Sequence, residues 1–295
     1  MEKLFRDKKA ICLFIAPGGI LFTAILLVPI AYAVYISLCE WNALTQPQFV
    51  GFSNYIKIFT NDDIMKTAIK NSLFFTTFSL VTQQVIGLFL AVILSNLVKG
   101  KNLFKNIYYL PCVLSSAALG LLFSFLLNPK MGLNQILAIF GIQGPLWLMD
   151  VKGFIPLPMW VIGTVATWQY VGTTMMLYMA AIAGIPSSLY EASYIDGANK
   201  WQSFKNITMP LIKPMAKTTI SLTCIGSLKF FDLIYNMTQG GPNNKTEVLA
   251  TDLYNEGFKY FKYGYASAIS VVLLAMCLLV TFIINKSIKV EDYEM

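Results

Sequence analysis

The 295-residue sequence predicts an all-α integral membrane protein, and three observations carry that expectation. Hydrophobic residues make up 56% of the chain and charged residues only 13%, against about 25% charged in a soluble domain. Long apolar runs recur between charged connections, and the basic residues sort unequally among those connections. A hydrocarbon core needs about 20 apolar residues per helical crossing, so six crossings use about 120 residues and leave the rest for loops and tails. The runs lie near residues 11–38, 71–98, 107–127, 157–183, 214–235 and 265–285, within one transmembrane domain covering residues 1–295.

The first run follows Lys3, Arg6, Lys8 and Lys9 and contains Ala31-Tyr32-Ala33, which imitates a signal peptide. Its apolar stretch is too long for one, so it reads as a retained span bent by Pro17 and Pro29. Lys99, Lys101 and Lys105 then close the second span, and Pro186 ends the fourth. Lys200, Lys205, Lys213 and Lys217 precede the fifth, and Lys286 and Lys289 follow the sixth. These basic clusters crowd span ends on one side, so both termini are expected in the cytoplasm. The opposite connections, near 39–70, 128–156 and 236–264, mix lysines with acids, turn residues and aromatic anchors.

Several function classes are excluded. The chain has no histidine, which removes imidazole base chemistry, a serine-histidine triad and histidine-ligated metal. Its five cysteines are scattered without a paired spacing and read as apolar filler. The formal charge of +7 belongs to the loops, not to a nucleic-acid surface. Gly100-Lys101-Asn102 lacks the upstream glycine and hydroxyl residue of a phosphate loop, so work for uphill transport would come from another subunit. Lys229 and Asp232 are the main ionisable pair within a span, spaced to face one another on a helix, and keep an ion-coupled secondary carrier as an alternative.

The connection from Gly184 to Pro214 is the most informative segment. Pro186 breaks the preceding span, and Ser188 with Glu191 three residues later has the spacing of a capping box. Gly197 allows a turn, Asn199 can cap a second short helix, and Pro210 with Pro214 closes the excursion. A cytoplasmic helix-turn-helix is expected. Small residues Ala192, Ser193, Gly197 and Ala198 would let another protein approach its backbone.

The residue order Glu191-Ala192-Ser193, Asp196-Gly197-Ala198 and Ile207-Thr208-Met209-Pro210 resembles the Glu-Ala-Ala loop of permease subunits in binding-protein-dependent ABC importers. Ile185-Pro186, Leu189-Tyr190 and Trp201-Gln202 are similar to the sugar branch. Further resemblance lies in Phe49-Val50-Gly51-Phe52, Asn54-Tyr55, Leu110-Pro111, Thr238-Gln239-Gly240-Gly241-Pro242 and Tyr263-Gly264-Tyr265-Ala266, so it covers nearly the whole chain in order. It looks like the maltose-type or glycerol-phosphate-type first permease of the carbohydrate uptake family. Ser193 and Met209 depart from the family's alanine and leucine.

That resemblance implies a type I importer permease, multi-pass in a bacterial or archaeal cytoplasmic membrane. It implies a non-catalytic subunit holding no cofactor, since ATP and magnesium would be used by two copies of a partner ATPase. A second permease, an extracytoplasmic sugar-binding protein, lipid and sugar complete the expected partners, with no nucleic acid. The coupling residues would be Glu191, Ala192, Ser193, Asp196, Gly197, Ala198 and Pro210. For the substrate path, Thr223, Ser227 and Phe230 recur along one helix stripe beside Gly226, with Gln169, Tyr170 and Thr173 on the preceding span and Lys229 beyond. Hydroxyls with aromatic faces suit a sugar, an oligosaccharide first of all, and a glycerol phosphate ester stays open through Lys229.

Overall fold

A computed structural model describes residues 8–96 and 99–289, with side chains from residue 14 onward. Lys3 and Arg6 lie outside the described residues, as does the side chain of Cys12. Nearly all the regular structure is helical, and the chain divides into two compact units.

The first unit comprises the described part of Met1–Asp62 together with Leu253–Val272. Helices α1 (Lys8–Phe22) and α2 (Val28–Ser37) flank a π turn at Thr23–Leu27. That turn sits immediately before Val28-Pro29: proline lacks an N–H and crowds the preceding carbonyls, and a widened turn accommodates both. A short ribbon pairs β1 (Cys39–Glu40) with β2 (Gln48–Phe49), followed by α3 (Ser53–Thr60). The resemblance blocks in this unit are structural ties. Asn54 Nδ2 donates to the carbonyls of Ser37 and Cys39 at 2.9 and 3.0 Å, and Tyr55 OH lies 2.6 Å from Ser37 Oγ. Tyr265 OH donates to Asp62 at 2.6 Å, with the Lys57 ammonium 4.4 Å from the Tyr265 ring centroid.

The second unit comprises Asp63–Asp252 and the chain from Leu273. Its frame is α4 (Asp63–Ser95), α5 (Lys101–Val113), α6 (Ser116–Leu126), α7 (Leu133–Ile139) and α8 (Leu157–Ala183). An elbow follows, formed by α9 (Ser187–Ile195), α10 (Lys200–Ser203), a π turn at Phe204–Thr208 and α11 (Met209–Leu211). Then come α12 (Lys213–Leu228) and α13 (Asp232–Thr238), while α14 (Leu249–Tyr254) and α15 (Tyr263–Ser287) each belong in part to both units. Helix α8 is the central post, with α4 along one side and α5 along another. A Cβ at Gly172 would sit 2.2 Å from the Tyr108 carbonyl oxygen, so α5 lies backbone to backbone on α8 there. The main core joins Phe75 of α4, Leu119 of α6, Met159 and Ile162 of α8, and Leu233 and Ile234 of α13.

Among the described residues, three helical stretches can cross a membrane by length and composition: Phe14–Ser37, Asp63–Ser95 and Tyr263–Ser287. A fourth is reached if α5 and α6 count as one crossing, although they meet at 90°. The run expected over 107–127 falls on this bent pair: Leu114 and Ser115 are extended, just beyond the proline at 111. The run expected over 214–235 is corrected. Helix α12 stops at Leu228, and α13 starts anew at Asp232. Lys229 and Asp232 therefore stand on either side of a break, not facing on one helix, and no ion pair joins them. Helix α8 is long enough to cross but interrupts its apolar sequence with Gln169, Tyr170, Thr173 and Thr174.

Filling the contact at Gly172 tests this packing. Gly172→Val is expected to cost the folded protein about 1–3 kcal/mol through overpacking, seen as a lower unfolding temperature in detergent. Gly226→Ala, where an added Cβ meets nothing within 4 Å, is expected to leave it unchanged.

Candidate functional site

Helices α4, α8 and α12 line a partly open cavity of about 220 Å³. At one end Phe75 stacks on Phe230 with centroids 4.9 Å apart, and Tyr170 meets Phe230 edge-on at 5.9 Å. The middle is polar, with Ser79 and Gln83 from α4, Thr173 and Thr174 from α8, and Thr223, Gly226 and Ser227 from α12. Among the described residues no charged side chain lines it.

Beside Thr219 and Thr223 of the wall, a hydrogen-bonded floor joins the three helices. Gln84 donates through Nε2 to Thr223 Oγ1 at 3.0 Å and accepts at Oε1 from Tyr178 OH at 2.7 Å. Thr219 Oγ1 lies 3.0 Å from both Gln84 Oε1 and Tyr178 OH. Such groups are tolerated in a membrane interior because each finds a partner within the protein.

The substrate-path residues expected from sequence divide into three groups. Tyr170, Thr173, Thr223, Gly226, Ser227 and Phe230 line the cavity, although Phe230 lies past the end of α12. Tyr170 OH is 2.9 Å from Ser116 Oγ, and Thr173 Oγ1 is 2.9 Å from Cys112 Sγ, so both also hold the bend between α5 and α6. Gln169 does not line the cavity. Its Nε2 donates to the Leu114 carbonyl at 3.2 Å and to Ser116 Oγ at 3.0 Å, supplying a donor where the bend frees a carbonyl. Lys229 caps the end of α12, exposed and outside the cavity wall. Phe75, Ser79, Gln83, Gln84, Tyr178 and Thr219 escaped the sequence reading. Phe75, Ser79 and Gln83 recur at i, i+4 and i+8 within an apolar run, and that spacing is the signal that could have found them.

The elbow is built on a tight turn. Helix α9 ends at Asp196; Gly197 takes φ +79°, its N–H donates to the Tyr194 carbonyl at 3.1 Å, and the Ala198 N–H donates to Ser193 at 2.9 Å. This is a Schellman closure, and glycine adopts its left-handed conformation without a Cβ penalty. Asn199 and Gln202 form a reciprocal capping box for α10. The box expected at Ser188 and Glu191 is absent: Pro186 precedes the first turn with no side-chain cap, its fixed φ pre-setting the helix start.

Ser193 and Ser203 hydroxyls are 3.0 Å apart, as are Tyr190 OH and Thr208 Oγ1 at 2.9 Å, so the two arms are stitched together. Ser193 thus makes a bond that an alanine in its place would lack. Beneath the elbow, Tyr190 and Ile207 pack on Ala91 and Leu94 of α4 and on Met175 and Met179 of α8. Pro210 follows the second π turn, the same device as at Pro29. Glu191, Ala192, Asp196 and Gly197 remain exposed beside Tyr194 and Ile195, which are 81% and 84% exposed.

Comparison with known proteins agrees with this architecture. The profile of the family described as "Binding-protein-dependent transport system inner membrane component" matches residues 83–288. The chain is 35% identical over 288 residues to the probable ABC transporter permease protein YurN of Bacillus subtilis, covering 96% of this chain and 97% of that protein. It is 32% identical to the arabinooligosaccharides transport system permease protein AraP of the same organism, covering 95% and 89%. It is also 32% identical to the lactose transport system permease protein LacF of Rhizobium radiobacter, covering 92% and 91%. In fold it is similar to a chain of a bacterial alginate ABC transporter solved with its periplasmic protein, with a TM-score of 0.81 at 23% identity, covering 97% and 95%.

Removing one floor bond tests the network. Tyr178→Phe leaves Gln84 Oε1 with one donor fewer and is expected to destabilise the protein by about 1–3 kcal/mol, read as a lowered detergent unfolding temperature. The chain belongs to the family of inner membrane permease components of binding-protein-dependent ABC transporters.

Proposed function

We propose that this chain forms half of the translocation pathway of an ATP-driven sugar importer, with neutral oligosaccharides as its cargo. The observation that carries the reading is the cavity between α4, α8 and α12: hydroxyls and amides at its middle, aromatic rings at one end, and no charge in its described wall. A sugar needs hydroxyl-reading groups beside flat apolar faces, whereas a phosphate ester needs a cation. With Lys229 outside that wall, nothing in it favours a glycerol phosphate. Relatives named for arabinooligosaccharide and lactose transport point the same way.

In this reading the chain makes six crossings, with the elbow and both termini in the cytoplasm. The elbow seats in a cleft of a cytoplasmic ATPase subunit, Glu191 meets a basic group there, and Ala192, Ser193, Gly197 and Ala198 allow close approach. Asp196, at the end of α9, stands beside the Gly197 turn. A second permease pairs with this one, two ATPase subunits supply the work using ATP and magnesium, and an extracytoplasmic binding protein delivers the sugar. The chain itself binds no cofactor and catalyses no reaction. Motion enters where Tyr190 and Ile207 rest on the ends of α4 and α8, and passes through Pro210 and α12 to the cavity.

Two elbow substitutions test the coupling. Glu191→Lys reverses the exposed charge, and Gly197→Pro forces a φ of about −65° onto a position at +79°. Both are expected to cut ATP-dependent uptake in proteoliposomes at least tenfold while the protein still inserts. Wild-type uptake together with undiminished ATPase co-purification in both variants would remove the elbow from the coupling path.

A further inference from the structure

Two of the residues that α4 gives to the cavity wall do not spend their polar atoms on neighbouring helices. Thr173, Tyr170 and Thr223 place their polar atoms against neighbouring helices, as does Thr219 in the floor. Ser79 is fully buried and its Oγ has no hydrogen-bond partner. Gln83, one turn along the same face and only 6% exposed, makes no hydrogen bond among the described residues. Both line the cavity beside Phe75. Buried polar groups are almost always paired, and the exceptions call for a reason. Gln169 Oε1 and Asn71 Oδ1 are also buried and unpaired, but neither lines the cavity. Thr174 and Ser227 also line it without a hydrogen bond among the described residues, one on α8 and one on α12; Ser79 and Gln83 are the two that share one helix stripe.

The adjacent residue sharpens the contrast. Gln84 is turned out of that stripe and has both ends of its amide engaged in the floor. Two consecutive glutamines thus divide the work, one fixing three helices together and the other offering a complete amide to the cavity. A free carboxamide presents two N–H donors and an acceptor side by side, which matches neighbouring hydroxyls on a sugar ring that each donate and accept. A site built to bond a hydroxyl rejects analogues lacking it far more strongly than an apolar pocket rejects a change in size.

We infer that Ser79 and Gln83 form the hydroxyl-reading wall of the translocation cavity, with Gln83 selecting for an adjacent pair of ring hydroxyls and Ser79 bonding a third polar group of the same sugar. The inference rests on the sugar-importer reading and adds a helix to the substrate contacts that sequence places on the fourth and fifth spans.

The test uses the whole importer with its binding protein and ATPase in proteoliposomes, and a panel of radiolabelled maltotriose, arabinotriose and lactose with their monodeoxy analogues. Co-purification of the ATPase in wild-type ratio certifies each variant as assembled. For the panel sugar that wild type transports, Gln83→Leu is expected to lower kcat/KM about tenfold, and Ser79→Ala severalfold. A structural role alone would lower uptake of parent and deoxy sugars equally. The reading role instead predicts that one deoxy analogue, poorly carried by wild type, is carried by Gln83→Leu as well as its parent. An unchanged parent-to-deoxy ratio in both assembled variants, while Gly226→Trp blocks uptake by filling the cavity, overturns this inference and leaves the sugar reading standing. Uptake of no panel sugar, or full uptake with Gly226→Trp, overturns the sugar reading and this inference with it.

Discussion

A helix in lipid has no water to satisfy its polar groups, so each must find a partner inside the protein. Helix α8 is shaped by that requirement. Its sequence is too polar to pass for a simple crossing, yet these polar side chains find partners on neighbouring helices: Gln169 and Tyr170 at the bend of α5 and α6, Thr173 at Cys112, and Tyr178 in the floor with Gln84 and Thr219. The bend, the floor and the cavity wall all depend on how this one helix places its hydrogen-bonding groups. Backbone contact at Gly172 holds α5 close enough for them to reach.

The same logic connects the cavity with the elbow. Tyr178 belongs both to the floor and to the apolar cluster on which Tyr190 and Ile207 rest. A displacement of the elbow therefore acts on a side chain that bonds the two helices flanking α8. The hydroxyl pairs between Ser193 and Ser203 and between Tyr190 and Thr208 make the arms of the elbow move together. An interior packed this closely shifts between discrete arrangements instead of deforming smoothly.

Much of the chain was legible in its sequence, for identifiable reasons. Long apolar runs between charged connections gave the principal helices, and Gly197 and Asn199 announced the turn and the cap that the elbow contains. The illegible parts were those decided by tertiary contact. Pro111 is the local mark near the 90° bend, but the group that satisfies its freed carbonyl at Leu114 is Gln169, distant in sequence. The break after Leu228 was hidden by continuing hydrophobicity through Phe230 and Phe231. Ser188 and Glu191 had capping-box spacing, but the proline before them already sets the start of α9. Ser79 and Gln83 were overlooked because two polar residues in an apolar run read as helix packing until a cavity is seen beside them.

The uncharged cavity wall has an electrical consequence. A neutral cargo crossing between Phe230 and Thr223 carries no charge through the membrane field, so voltage does no work on it in either direction. On the proposed function, the gradient such a pathway builds is then a purely osmotic one, limited by the work its ATPase partners supply and indifferent to whether the cell is polarised.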